Sequence, residues 1–168
     1  MKAIRRILVY GVILSLLTLS SFPAKVQAEC SVGYLRWPLA GAPNWSTITR
    51  GFGGIWDSNK CGSYAKKHVA IDYPASQWSL VLAASWGTVK EASTHATDVG
   101  FVVIEHGYGC FTTVYWHLIP VVSRGSDVFP GQIIGYLGKP KDSNPHLHFG
   151  VRNAPYNSLV SKAGYLPE

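Results

Sequence analysis

The sequence predicts an all-β fold, an antiparallel β-sheet or sandwich, on three observations. Apolar residues come in short runs or alternate with polar ones, no segment carries a convincing 3.6-residue apolar period, and Gly, Pro, Asn or Ser separates one run from the next. Many short strands punctuated by turns are the signature of this class. The expected strands are Ser79–Ala84, Gly87–Glu91, Phe101–Glu105, Phe111–Leu118, Gln132–Leu137 and His146–Arg152.

The chain of 168 residues suits one domain. It opens with Lys2, Arg5 and Arg6, continues with an apolar run from Ile7 to Leu19, and reaches Val26-Gln27-Ala28. A basic start, a short apolar stretch and small residues before a cleavage point describe a secretory signal over residues 1–28. The run is short for a membrane span, which needs about 20 apolar residues, although an uncleaved anchor is the alternative. A secreted or periplasmic domain over residues 29–168 follows, expected to be a monomer.

Removing residues 1–28 changes the charge reading. The whole chain is +6, but Lys2, Arg5, Arg6 and Lys25 leave with the signal, so 11 basic residues face 9 acidic ones, a net of +2. The basic excess therefore gives no grounds for a nucleic-acid partner. Cys30, Cys61 and Cys110 permit one disulfide in an exported chain and show no zinc-finger spacing. Cys110 lies in a predicted turn and Cys61 near His68, so a Cys61–Cys110 bridge is not expected and Cys30 is the better partner for either.

Three segments concentrate the chemistry. In His68-Val69-Ala70-Ile71-Asp72 a straight strand would set the two Cα atoms about 13 Å apart. If both serve one metal, the chain bends near His68 and the strand starts just after it; otherwise His68 is a surface residue before a buried strand. Next, Phe101–Glu105 and Phe111–Leu118 flank a Gly-rich turn and read as a β-hairpin. Thr113, Tyr115 and His117 fall on one face of the return strand, and His106 is expected as a solvated turn residue. His95, in the polar stretch Ser93–Val99, receives no function. Finally, Asn144-Pro145-His146-Leu147-His148-Phe149-Gly150-Val151-Arg152 alternates with period 2. Leu147, Phe149 and Val151 face a core, while His146 and His148 share the other face about 7 Å apart. By itself that pair is a metal or proton-transfer site or merely two polar residues.

The succession His68-x-x-x-Asp72, Tyr115-x-His117-Leu118, Gly131-Gln132-x-Ile134-Gly135 and Pro145-His146-Leu147-His148-Phe149 resembles the lysostaphin-type zinc endopeptidases, a match extending from Trp37-Pro38 through Gly51-Phe52-Gly53 to Arg152. The resemblance implies one zinc held by His68, Asp72 and His148, with His117 and His146 acting on water and the developing oxyanion. It implies an antiparallel scaffold with loops around a groove, and peptidoglycan stem or cross-bridge peptides as substrate. Gly150, where relatives often carry Glu, and Asn144-Pro145 depart from the pattern without touching a ligand.

Three protein donors leave a tetrahedral zinc one open position, as in catalytic sites. No HExxH motif supplies a glutamate base, so His117 and His146 are its substitutes, in an order the sequence leaves open. A closed tetrad of His68, Asp72, His146 and His148 is the structural alternative. The loops Gly51–Lys67, Ser93–Val99 and Lys139–Asn144 are expected to line the groove, and Trp56 or Trp78 to pack in the core or stack on glycan. Two other functions compete. A non-catalytic regulatory module of the same fold conflicts with the presence of all five site residues. A phosphohistidine carrier would leave Asp72 without purpose and lack a cytoplasmic donor.

Overall fold

The computed structural model describes residues 34–41, 44–52, 67–156 and 165–166. The segment 1–28 and the cysteines Cys30 and Cys61 lie outside them. Cys110 is disulfide-bonded, and its pairing with one of those two is therefore not among the described features. No helix among the described residues is long and apolar enough to cross a membrane.

Apart from a 3₁₀ turn at Trp45–Thr47 the described elements are strands. In chain order they are β1 (Lys67–His68), β2 (Ile71–Pro74), β3 (Leu80–Leu82), β4 (Gly87–His95), β5 (Val99–His106), β6 (Phe111–Trp116), β7 (Leu118–Pro120), β8 (Asp127–Val128), β9 (Ile133–Leu137), β10 (His146–Arg152) and β11 (Tyr165–Leu166). Every pairing is antiparallel: a six-stranded sheet ordered β2-β10-β6-β5-β4-β8, a three-stranded sheet β3-β9-β7, and the pair β1-β11. This is the β class the alternation predicts, and β10 has the predicted bounds.

The main core draws Val81 from β3, Leu118 from β7 and Leu137 from β9 against Val102, Ile104, Tyr115, Leu147 and Phe149 of the large sheet. On that sheet's other face Phe101, Val103 and Val114 form a smaller cluster, with Trp116 and Tyr156 against it. Period 2 explains the division within β10, because Leu147 and Phe149 enter the core and leave His148 opposite. Val151, expected in the core, is instead 38 % exposed near the strand's end.

Four other expectations are corrected. The stretch Ser93–Val99 is not all loop, since β4 runs to His95 and β5 starts at Val99, with His95 opposite Val99. His117 does not continue the face of Thr113 and Tyr115. Its φ of +68° separates β6 from β7 and shifts the alternation, so that Tyr115 and Leu118 both reach the main core. Trp78 is neither core nor groove; it is 61 % exposed and absent from the groove lining.

His106 is not a solvated turn residue either, being 1 % exposed. Its Nδ1–H donates to the Trp86 carbonyl at 2.6 Å, and Nε2 lies 2.7 Å from Thr113 Oγ1. That hydroxyl is 3.1 Å from the Tyr115 hydroxyl, which accepts the Ala84 N–H at 2.9 Å. Thr113 Oγ1–H donates to the Tyr115 hydroxyl, so the threonine links the His106 ring to Tyr115 within the sheet. The loop before β4 is thereby tied at two carbonyl or amide positions to the interior of the large sheet. Burial pushes the Tyr115 phenol up to about 12.

Burial also pushes the His106 pKa below its ordinary value. Below about pH 6.5 the unfolded chain takes up a proton at this residue that the folded chain resists, so its contribution to stability is complete above that pH and is lost as pH falls. Replacing His106 by Ala leaves buried partners unsatisfied and is expected to cost on the order of 2–3 kcal/mol at pH 7. Denaturant unfolding at pH 7 and pH 5 checks both statements: the gap between wild type and variant should narrow at pH 5, and an equal gap at both would contradict them.

Candidate metal centre

His148 stands at the middle of the site because β10 is paired on both sides. Asp72 of β2 and Trp116 of β6 are its direct cross-strand neighbours, and opposed residues in an antiparallel sheet present side chains to the same face. His68 reaches the same place from another sheet. β1 ends at His68, Val69 and Ala70 turn the chain, and β2 begins at Ile71. The bend brings His68 Nε2 within 3.0 Å of Asp72 Oδ1, which a straight strand between them could not do.

His68 Nε2 and His148 Nδ1 are 2.9 Å apart, and His148 Nδ1 is 3.0 Å from Asp72 Oδ1. The three atoms form a triangle with sides near 3 Å, and all three residues are buried. Among the described residues this is the cluster of His, Cys, Asp or Glu able to hold a metal ion. Its donors suit zinc, whose bonds of about 2.0–2.1 Å set tetrahedral donors about 3.3 Å apart. The proton accounting agrees. His68 Nδ1–H donates to the Gly51 carbonyl at 3.1 Å, which turns Nε2 toward His148 Nδ1 and the Asp72 carboxylate oxygen. A cation at the centre of the triangle satisfies all three.

Burial acts to raise the Asp72 carboxyl, but hydrogen bonds and charge from His148 and His68 outweigh it and hold the group well below the usual carboxylate range. Asp72 is thus ionised. Its second oxygen, Oδ2, lies 3.6 Å from the Arg50 guanidinium. The strand-like segment carrying Arg50 is bonded to the outer edge of β2, where Asp72 N–H donates to the Arg50 carbonyl and Thr49 N–H to the Asp72 carbonyl. Burial lowers the His148 pKa, against the opposing pull of Asp72. A neutral imidazole and an ionised carboxylate are the protonation states in which these side chains ligate metals.

His117 and His146 lie beside the triangle with ring centroids 4.5 Å apart. His146 Nε2 is 3.8 Å from Asp72 Oδ1, while its Nδ1–H donates to the Asn144 carbonyl at 2.8 Å. His117 Nδ1–H donates to the Asp98 carbonyl at 3.1 Å. Burial, with His146 next in importance, lowers the His117 pKa to about 4, so the ring is neutral near pH 7 and its Nε2 carries a lone pair. A cavity of about 670 Å³ opens over these residues. Thr97, Asp98, Asp142, Ser143 and Asn144 line it, as expected for two of the three loops. Of the third, residues 53–66 lie outside the described residues, as does Trp56.

The structure therefore brings all five sequence-predicted residues together. Arg50 was not anticipated: a lone arginine between Thr49 and Gly51 carries no spacing that links it to Asp72. Nor could the backbone carbonyls of Gly51, Asp98 and Asn144 be foreseen, since a carbonyl is available at every residue.

Metal content of purified variants tests the division. Ala at His68, Asp72 or His148 should abolish stoichiometric zinc binding, whereas Ala at His117 or His146 should leave it. Arg50→Ala should keep the zinc but weaken binding by about 10-fold, the usual effect of losing a group that orients a ligand. Full zinc retention in His148→Ala, or zinc loss in His146→Ala, would contradict the triangle.

Residues 66–160, more than half of the chain and including all five site residues, match the model of Peptidase family M23. Over 103 residues the chain is 32% identical to the DD-carboxypeptidase/endopeptidase Mpg of Neisseria meningitidis serogroup B, covering 60% of this chain and 24% of that enzyme. The chain spans less than a quarter of the length of the curated relatives it matches. Among solved structures, a zinc-containing peptidase from Vibrio cholerae superposes with a TM-score of 0.58 at 27% identity, over 73% of this chain and 38% of that one. The catalytic domain of the antimicrobial peptidase lysostaphin from Staphylococcus simulans gives 0.53 at 28% identity, over 65% and 82%. The chain belongs to Peptidase family M23.

Proposed function

We propose that this chain is an exported zinc endopeptidase that hydrolyses peptide bonds in bacterial cell-wall peptidoglycan. The observation that carries the reading is the triangle of His68 Nε2, Asp72 Oδ1 and His148 Nδ1 at one wall of a groove, with two further histidines beside it. The relatives support the substrate class, since Mpg is a DD-carboxypeptidase/endopeptidase and a Vibrio cholerae relative is a peptidoglycan DD-endopeptidase. Export rests on the signal-like residues 1–28.

His68, Asp72 and His148 would hold the zinc. When bound, zinc polarises a peptide carbonyl and lowers the pKa of water toward about 7. His117 would receive the proton released by attacking water, a role supported by its Nδ1–H bond to the Asp98 carbonyl, which leaves Nε2 as the base. The proton then passes to the leaving amine nitrogen as the peptide C–N bond breaks. His146, fixed through Nδ1–H to the Asn144 carbonyl, donates from Nε2 when protonated and stabilises negative charge on the former carbonyl oxygen. Asp72 stays ionised throughout and balances positive charge on the neighbouring rings.

The test is digestion of purified peptidoglycan, with mass spectrometry identifying the new amine and carboxyl termini. Release of peptides is expected, with loss on chelation and recovery with zinc. The fold should survive chelation, because the main core lies on the other face of the six-stranded sheet from the triangle. Ala at His117 or His146 should lower the rate by about 100-fold or more, the usual contribution of a positioned proton-transfer group. Unfolding on chelation, or full activity in both variants, would overturn the reading.

A further inference from the structure

Val99 has a φ of +72°, a conformation that is a genuine outlier for a β-branched residue. It centres a γ-turn, because Gly100 N–H donates to the Asp98 carbonyl at 2.9 Å, two residues back. This form of the turn is rare and strained. The Asp98 carbonyl is also the acceptor for His117 Nδ1–H. One strained turn therefore determines where the oxygen that holds His117 points.

Two glycines enclose the turn. A Cβ on Gly138 would overlap Val99 Cγ1 and lie 2.7 Å from Cγ2, so the valine side chain occupies the space that glycine leaves. Gly138 N–H donates to the His117 carbonyl at 2.7 Å. A Cβ on Gly100 would overlap the Ser93 carbonyl oxygen and lie 2.8 Å from that of Leu118, and the Gly100 carbonyl accepts His117 N–H at 2.8 Å. Backbone bonds from two sides thus clamp His117, itself at φ +68°. The neighbouring loop is drawn in too, as Lys141 N–H donates to the Thr97 carbonyl at 3.0 Å.

We propose that Val99 is a positioning residue, whose γ-turn, wedged against Gly138, aims the Asp98 carbonyl at His117 and selects the Nδ1–H tautomer that leaves Nε2 facing the groove. The inference rests on the reading of His117 as proton acceptor and adds the device that prepares it. A side chain wedged in a notch resists the rotation by which a strained turn would relax, and relaxation would swing the carbonyl away. A valine rather than the conformationally easier glycine has that consequence here.

The experiment uses Gly138→Ala, Val99→Gly and the double variant in the zinc-loaded protein. Imidazole ¹⁵N NMR reports the His117 tautomer without substrate, and steady-state kinetics and metal content accompany it. Gly138→Ala should turn a single Nδ1–H signature into a mixture and lower kcat by about 10- to 100-fold, with KM and zinc content unchanged. Adding Val99→Gly removes the collision but not the need for the wedge, so the double variant should stay mixed like Val99→Gly alone, and full recovery of the single Nδ1–H signature in it would count against the proposal. Val99→Gly alone should give mixed tautomers, and decides the matter if Gly138→Ala does not fold. An unaltered Nδ1–H signature in both single variants would overturn the proposal. Full activity of His117→Ala would instead remove the catalytic reading, while the NMR signature would still judge the positioning.

Discussion

The antiparallel pairing of β10 between β2 and β6 is the constraint on which the site depends. In this register His148 stands opposite both Asp72 and Trp116, and Leu147 and Phe149 go to the core. A slip of one residue would turn His148 into the core and Leu147 into the groove. Burial of the apolar face therefore selects the register that assembles the polar one. The same strand supplies a third of the buried triangle and one of the two adjacent histidines, so the energetics of folding and the placement of the donors are not separable.

A second layer of organisation comes from backbone carbonyls. Gly51 holds His68, Asp98 holds His117 and Asn144 holds His146, each through Nδ1–H. Each bond decides which nitrogen bears the proton and therefore which one carries the lone pair. His148 presents Nδ1 instead, toward Asp72 and His68. The carbonyls that fix the rings lie in turns and loops around the sheet, which makes loop conformation part of the chemistry even where no loop side chain takes part.

Much of this was legible in the sequence, and the exceptions share a cause. β10 could be read directly because one face of an antiparallel strand is apolar and the other is not. The bend after His68 followed from donor geometry, since an extended chain could not bring His68 and Asp72 together. The face of His117 was misread because alternation assumes an unbroken strand, and nothing in Tyr115-Trp116-His117-Leu118 announces a positive φ. Burial of His106 was missed because a histidine beside a Gly-rich turn gives no sign that Thr113 and the Trp86 carbonyl will enclose it. Val99 was invisible for a stronger reason: valine ordinarily argues against its observed backbone conformation.

The zinc reading requires two imidazoles and one carboxylate as ligands, with a position left open beside two histidines that do not ligate. Zinc K-edge X-ray absorption of the purified protein measures that most directly. Light donors only are expected, with two imidazoles at about 2.0–2.1 Å, oxygen at about 2.0–2.2 Å and total coordination near four. A third imidazole, or a sulfur donor at about 2.3 Å, would contradict it.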